Sequence, residues 1–378
     1  MELVVRKNDL LRELQLFQGI VERKNTIPIL ANVLMEAKGD QVRFLATDLE
    51  VGLRSQCAAA VAKGGALTLP AKKFYEIVKS LPETDIRIAE DKGGVKVAAD
   101  RFDSRMQTLP REDFPTLPEH GGTSGAPRAT LPRSAIKEMV AKTAFAITGE
   151  DTRYFLNGAL FVLRPDEMSL VATDGHRLAL VTVARESGEG AREVNDNADE
   201  VKAILPKKTL GELSRLLQEG DADIQYERGE NHLFFDVGGR LLISRMIDGQ
   251  FPAYERVIPK GNDKKIEFER DRLTNAVRRV ALLSNERSRA VKFQIENGKV
   301  DVTSSSPDLG EAKETLPVEF TGSPLQICFN AQYVLDFLSA VSTDVVSLEL
   351  KDEVSQAVMK PVGAEGYDYT YVIMPMRV

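Results

Sequence analysis

The sequence predicts an α+β protein of three tandem similar domains, each two helices packed on antiparallel sheets. Three observations carry this expectation. One ordered set of signals is read three times along the 378 residues. The repeat interval, about 130 residues, is too long for a solenoid unit and suits a compact domain. Each reading mixes the three- and four-residue apolar steps of helices with the two-residue alternation of strands.

The first reading opens with an amphipathic helix over residues 8–21, followed by strands that end at FLATDLEVGLRS. LTLPAKKFYEIVKSL comes next, a strand running through Pro70 into a second helix over 71–81; alternating strands and MQTLPREDFPTLP close the module. The second reading starts with ATLPRSAIKEMVAKTAF and continues through FLNGALFVLRPDEMSLVATDGHRLALVTV and AILPKKTLGELSRLL to LLISRMIDGQFPAYERVIP. The third runs from IEFERDRLTNAVRRVALLS through KVDVTSSSPDLGEAKET and LQICFNAQYVLDFLSAV to YVIMPMRV. LPAKKFYEIVKSL and LPKKTLGELSRLL are near-superimposable: Leu-Pro ends a strand, two lysines start a helix, and apolar residues follow at helical steps. ATDLEVGLRS matches ATDGHRLALV in the same way. Weak points at 121–126 and 260–264 divide the chain into domains 1–125, 126–262 and 263–378. The acidic, Gly/Asn-rich stretch 187–200 reads as a solvated loop within the second, and the sequence assigns it no role.

Composition is that of a soluble globular protein, with 43% hydrophobic and 28% charged residues. No stretch approaches the ~20 apolar residues of a membrane span, and the opening MELVVRKNDLLREL lacks a signal-peptide core. Cys57 and Cys328 form no redox or metal motif and read as buried thiols of a reducing cytosol, so the expected location is cytoplasmic.

The net charge of −7 argues at first against nucleic acid, but its distribution reverses the argument. Helical segments 71–81, 133–142 and 206–217 carry +2 each, 270–280 carries +3, 6–15 carries +1 and 331–342 carries −1. The helices together hold +9, which leaves −16 for everything else. Basic helices on an acidic protein are the footprint of phosphate contact, although lysines and arginines also decorate solvated helix faces. No zinc finger, helix-turn-helix or RNA-recognition signature is present, and Trp is absent, so sequence-independent duplex contact is the form that remains.

No catalytic, metal or cofactor site is expected. TDGHR puts Asp174 near His176, but the matching segment of the first module has no histidine, and Asp-Gly marks a turn. His120, His176 and His232 share no metal-ligand spacing, and neither a phosphate loop nor GxGxxG occurs. At the carboxyl end Pro375 stops strand pairing between two methionines, a composition that suits an adaptable groove for apolar peptide side chains.

LTLPAKKFYEIVKSLP, DTRYFLNG, VATDGHRLA, DGQFPAYERVIP, LSNER, NAQYVLDFL and the terminal YVIMPMR together resemble the bacterial DNA polymerase III beta subunits, the sliding clamps, from about residue 3 to the end. The resemblance implies a ring-shaped head-to-tail homodimer around double-stranded DNA, with basic helices inward and sheets outward. It implies an accessory, non-catalytic processivity factor without cofactors or membrane attachment, loaded by an ATP-driven clamp loader. Its partners would be the polymerase III catalytic subunit, the clamp loader, and other polymerases and repair proteins, through short peptides. The implied peptide cleft comprises Leu156, Thr173, Gly175, His176, Arg177, Leu178, Pro252, Arg256, Val257, Val372, Ile373, Met374, Pro375, Met376 and Arg377, with His176 and Arg177 as wall and polar rim. Implied DNA contacts are Lys24, Lys72, Arg153, Tyr154, Phe155, Lys207, Lys208, Asn330 and Tyr333. The implied subunit interface pairs the edge around Ser104, Met106 and Thr108 with Leu282, Leu283 and Arg289 and the strand that follows. This chain departs from the family pattern at Phe155, where a second tyrosine is usual, and at Ser104 and Ser288, where larger apolar or aromatic side chains are expected.

Overall fold

The computed structural model describes residues 1–21, 26–121, 126–149, 151–185 and 200–377. Apart from Glu200, the acidic stretch 187–200 lies outside the described residues. Among those residues there are six α-helices: α1 (Lys7–Phe17), α2 (Ala71–Ser80), α3 (Arg133–Thr143), α4 (Lys207–Leu216), α5 (Arg270–Ala281) and α6 (Ala331–Ala340). The expected motif opens two of them. The strands Gly65–Pro70 and Val201–Pro206 each end on the proline of Leu-Pro, and α2 and α4 start at the next residue. Each helix buries one stripe at helical spacing: Ala71, Phe74 and Val78 in α2, and Leu273, Ala276, Val277 and Val280 in α5. α1 ends at Phe17, four residues before the expected Val21, because the chain turns at Gln18 and Gly19, a poor helix residue.

The described residues fold as two compact units: those within 1–134 and 208–246 form one, and those within 135–185, 200–207 and 247–377 the other. The first unit holds a five-stranded sheet in the order Ala60–Lys63, Glu2–Arg6, Asp85–Asp91, Gly94–Ala99, Phe102–Met106. Its second sheet has eight strands: Arg128–Leu131, Ile224–Arg228, His232–Val237, Arg240–Arg245, Val51–Ala58, Gln41–Thr47, Asn32–Lys38 and Gly65–Pro70. Helices α1 and α2 pack together, and Phe17 meets Phe44 with ring centroids 6.3 Å apart. Glu13 of α1 and Arg240 form a largely buried pair at 2.6 Å.

The second unit repeats the plan. Its eight-stranded sheet runs Val201–Pro206, Gly158–Leu163, Glu167–Thr173, Arg177–Ala184, Asp368–Ile373, Ala357–Val362, Val345–Leu350, Lys264–Glu269. A four-stranded sheet follows the order Gly310–Pro317, Lys299–Ser306, Ala290–Glu296, Leu325–Asn330. Phe337 of α6 packs against the rings of Tyr369 and Tyr371, both centroids within 5.4 Å.

The strand pairs are antiparallel, as the α+β expectation requires. Each eight-stranded sheet takes four strands from the central third of the chain and four from one neighbouring third. The joins are the ladders Arg240–Arg245 against Val51–Ala58, with Leu242 opposite Leu53, and Asp368–Ile373 against Arg177–Ala184, with Leu178 opposite Val372. The thiols of Cys57 and Cys328 are free and half-buried; burial is the main cause that raises both, the first to about 12.

Candidate functional site

In the second unit, Thr173, Gly175, His176 and Arg177 of the expected cleft form one turn. Thr173 closes a strand, and its hydroxyl donates to the Arg177 carbonyl at 2.7 Å while accepting the Gly175 N–H at 3.1 Å. Asp174 Oδ1 accepts the N–H groups of His176 and Arg177 at 2.9 and 3.0 Å. Gly175 takes φ +87°, a conformation that costs glycine nothing. TDGHR is therefore a side-chain-capped turn with its carboxylate spent on the backbone and on Arg177, not an acid–base pair facing a pocket.

The expected roles of the two residues after the glycine are partly reversed. His176 is exposed, whereas the Arg177 side chain is only 10% exposed and so is not a solvated rim. Its guanidinium donates to Asp174 at 3.0 Å, to the Phe145 carbonyl at 2.8 Å and to Asp336 of α6, and it stacks on the rings of Tyr333 (4.3 Å) and Phe145 (5.3 Å). Burial alone would lower its pKa; Tyr371 and the carboxylates of Asp336 and Asp174 outweigh burial and raise it. Arg177 thus stays charged inside the fold because its donors are matched.

Leu178 of the strand that follows the turn belongs to a buried apolar cluster with Leu156, Val372, Phe251, Tyr254, Val358, Leu160, Val162, Val171 and Ile204. Phe155 packs partly buried against this cluster, while the adjacent Tyr154 is 56% exposed. The two rings meet at 5.8 Å, and the expected DNA contacts Tyr154 and Phe155 differ in exposure. Pro252, Arg256 and Val257 lie in the segment beside Tyr254 and are solvent-accessible. After the strand ends at Ile373, the tail is held by two backbone bonds, Met374 N–H to the His176 carbonyl at 2.9 Å and Met376 N–H to the Cys328 carbonyl at 2.8 Å. Val372 and Ile373 are buried core, and Met374, Pro375, Met376 and Arg377 are at least partly exposed. Sequence reasoning missed Asp336 and Phe145 as parts of this site. NAQYVLDFL contains Asp336, but nothing in its local pattern ties it to a turn 159 residues away.

The expected DNA contacts divide by environment. Lys24 lies outside the described residues. Arg153 is chelated by Asp151, whose carboxyl is held at about 2, first by hydrogen bonds from Arg153, and it reaches the Asp174 carbonyl at 3.4 Å. Lys207 donates to the Ile147 carbonyl, Asn330 caps α6 through Gln332 N–H, and Tyr333 stacks on Arg177. Arg153 and Tyr333 accordingly border the same turn as the cleft. In the first unit, Lys72 stands at the start of α2. Lys208 is committed to the fold: it pairs with Asp48 and donates to the Ile20 carbonyl at 3.3 Å.

The expected interface residues lie at strand edges. Ser104 and Met106 belong to Phe102–Met106, whose outer side is unpaired among the described strands, and Thr108 follows it. Leu282, just beyond α5, is 76% exposed; Leu283 is partly buried, and Arg289 takes φ +48°. The strand after this region, Ala290–Glu296, is paired on both sides and offers no edge. The edge strands of that sheet among the described residues are Gly310–Pro317 and Leu325–Asn330.

Family profiles of the DNA polymerase III beta subunit match in sequence order: the N-terminal domain over residues 1–118, the central domain over 130–253 and the C-terminal domain over 255–377. The chain belongs to the DNA polymerase III beta subunit family. It is 37% identical over 381 residues to the beta sliding clamp of Pseudomonas aeruginosa, each chain covered in full. Two solved clamps bound to griselimycin superimpose over their full lengths at a TM-score of 0.92: the P. aeruginosa clamp at 36% identity and the Bartonella birtlesii clamp at 37%. Within this beta-subunit fold no group of three or more His, Cys, Asp or Glu side chains among the described residues is placed to hold a metal. No helix among them is long and apolar enough to cross a membrane.

Proposed function

We propose that this chain is a DNA sliding clamp, a non-catalytic cytoplasmic processivity factor that closes as a head-to-tail homodimer around duplex DNA. The observation that carries the dimer is the pattern of sheet joins. Within the chain, the last strand of one module twice pairs with the strand that follows the Asp turn of the module before it. That rule leaves Phe102–Met106, the last strand of the first module, and Gly310–Pro317, which follows the SPDLG turn of the third, each with one side unpaired among the described strands. Joining these two edges between protomers, with exposed Leu282 nearby, uses the same surfaces in a heterologous contact that closes after two copies. Charge supports the reading, since the helices are basic on a chain of net −7.

The cleft under the Asp174 turn is the docking place for short peptides of the polymerase III catalytic subunit, the clamp loader and other polymerases and repair proteins, and griselimycin is its chemical probe. Val257 and Met374 expose apolar surface there, and the exposed His176, Arg256 and Arg377 favour peptides that flank an apolar anchor with acidic residues. The first test is retention on nicked circular DNA with a clamp loader and ATP, before and after the circle is cut. A topological clamp stays on the circle and is lost from the linear form. Equal retention on both would reduce the protein to an ordinary DNA-binding scaffold.

A further inference from the structure

We infer that Asp336, on α6, is a positioning residue for the peptide cleft: through Arg177 it fixes the Asp174–Arg177 turn and, through that turn, the carboxyl-terminal tail. The inference rests on the cleft reading given above and extends it to a residue outside the cleft.

The chain of contacts is continuous. Asp336 Oδ2 accepts from Arg177, and its Oδ1 accepts from Gln332 at 2.7 Å, which orients the carboxylate. Arg177 Nε donates to Asp174 Oδ2 at 3.0 Å, and Asp174 Oδ1 gathers the His176 and Arg177 N–H groups. The turn in this way aims the His176 carbonyl at the Met374 N–H, 2.9 Å away, and so places the tail. Tyr333, one helical turn before Asp336 on α6, stacks on the same guanidinium at 4.3 Å and adds shape to the charge pairing.

The same turn occurs in the first unit, with a different holder. Thr47 and Asp48 repeat the capping bonds, Asp48 Oδ1 accepting Glu50 and Val51 N–H at 2.9 and 2.7 Å, and Lys208 of α4 pairs directly with Asp48. In both units, then, a charged residue from a helix far along the chain holds the turn through its aspartate. In the second unit an arginine is the intermediary, so an acid is needed behind it. Removing Asp336 leaves a guanidinium that is only 10% exposed with one carboxylate fewer, and the turn loses its fixed bearing.

Griselimycin binding to the full-length protein tests this. Asp336→Asn should weaken binding about tenfold, Asp336→Glu should restore most of it, and adding Asp336→Asn to Arg177→Gln should bring little further loss, the non-additivity of residues acting in one chain. The imidazole proton resonances of His176 should shift in Asp336→Asn. Ser304→Ala, which removes a buried bond to the Val280 carbonyl in the same unit, controls for general destabilisation and should bind like the parent. Unshifted His176 resonances, or parental affinity in Asp336→Asn while Leu178→Ala binds poorly, would overturn the positioning role and leave the cleft standing. No binding by the parent protein would instead remove the cleft reading, and this inference with it.

Discussion

Leu49 occupies the turn position that Gly175 fills in the second unit, and both take positive φ, +80° and +87°. Glycine adopts this conformation freely, whereas a leucine there is strained by about 1 kcal/mol or more. Packing does little to offset that strain, because Leu49 is 51% exposed. Leu49→Gly should therefore raise the melting temperature of the protein, and a differential scanning comparison with the parent would show it. A fall instead would mean that the exposed side chain makes a stabilising contact in the assembled form. The two turns also mark what was legible at this scale. The match between ATDLEVGLRS and ATDGHRLALV located both correctly, because Thr-Asp capping is local chemistry. The burial of Arg177 was not legible, since its partners Phe145 and Asp336 are 32 and 159 residues away.

Among the elements, strand edges matter more than helices. Periodicity located all six helices, because an amphipathic stripe is written in consecutive residues. Strand order was harder, since pairing joins distant segments: Ala290–Glu296, expected beside the subunit contact, is paired on both sides, and the edges of its sheet are Gly310–Pro317 and Leu325–Asn330. The internal joins supply a register for the proposed subunit contact. In the first unit Leu242 faces Leu53 and Ile243 faces Gly52. Aligning the hairpin turns of the three modules carries this over as Ser104 facing Lys313. Ser104→Cys combined with Lys313→Cys should yield a covalent dimer under mild oxidation, resolved on a non-reducing gel. Monomer from that double variant, with dimer from Ser104→Cys paired with a cysteine at Lys292, would return the edge to Ala290–Glu296.

For the whole molecule, the family matches number three, over 1–118, 130–253 and 255–377, yet the compact units number two. The central module supplies half of each eight-stranded sheet. Expressed alone as residues 126–262, it would expose the edges of Arg240–Arg245 and Arg177–Ala184, both paired in the full chain. It should be recovered largely as aggregate, while the full-length protein is recovered soluble, and size-exclusion chromatography distinguishes the two outcomes. A soluble, monomeric central fragment with a cooperative melt would show that the shared ladders contribute little to its stability.

Those shared ladders separate two kinds of unit that repeat proteins usually keep together. The stretch that recurs in the sequence is the piece that heredity copies; the stretch that closes a sheet is the piece that stability requires. Here the two run out of phase by half a module, so an ancestral single module would have had to meet copies of itself, edge to edge, before it could hold its shape. On that view self-association came first, and fusion into one chain afterwards made permanent two contacts that began as encounters between separate molecules.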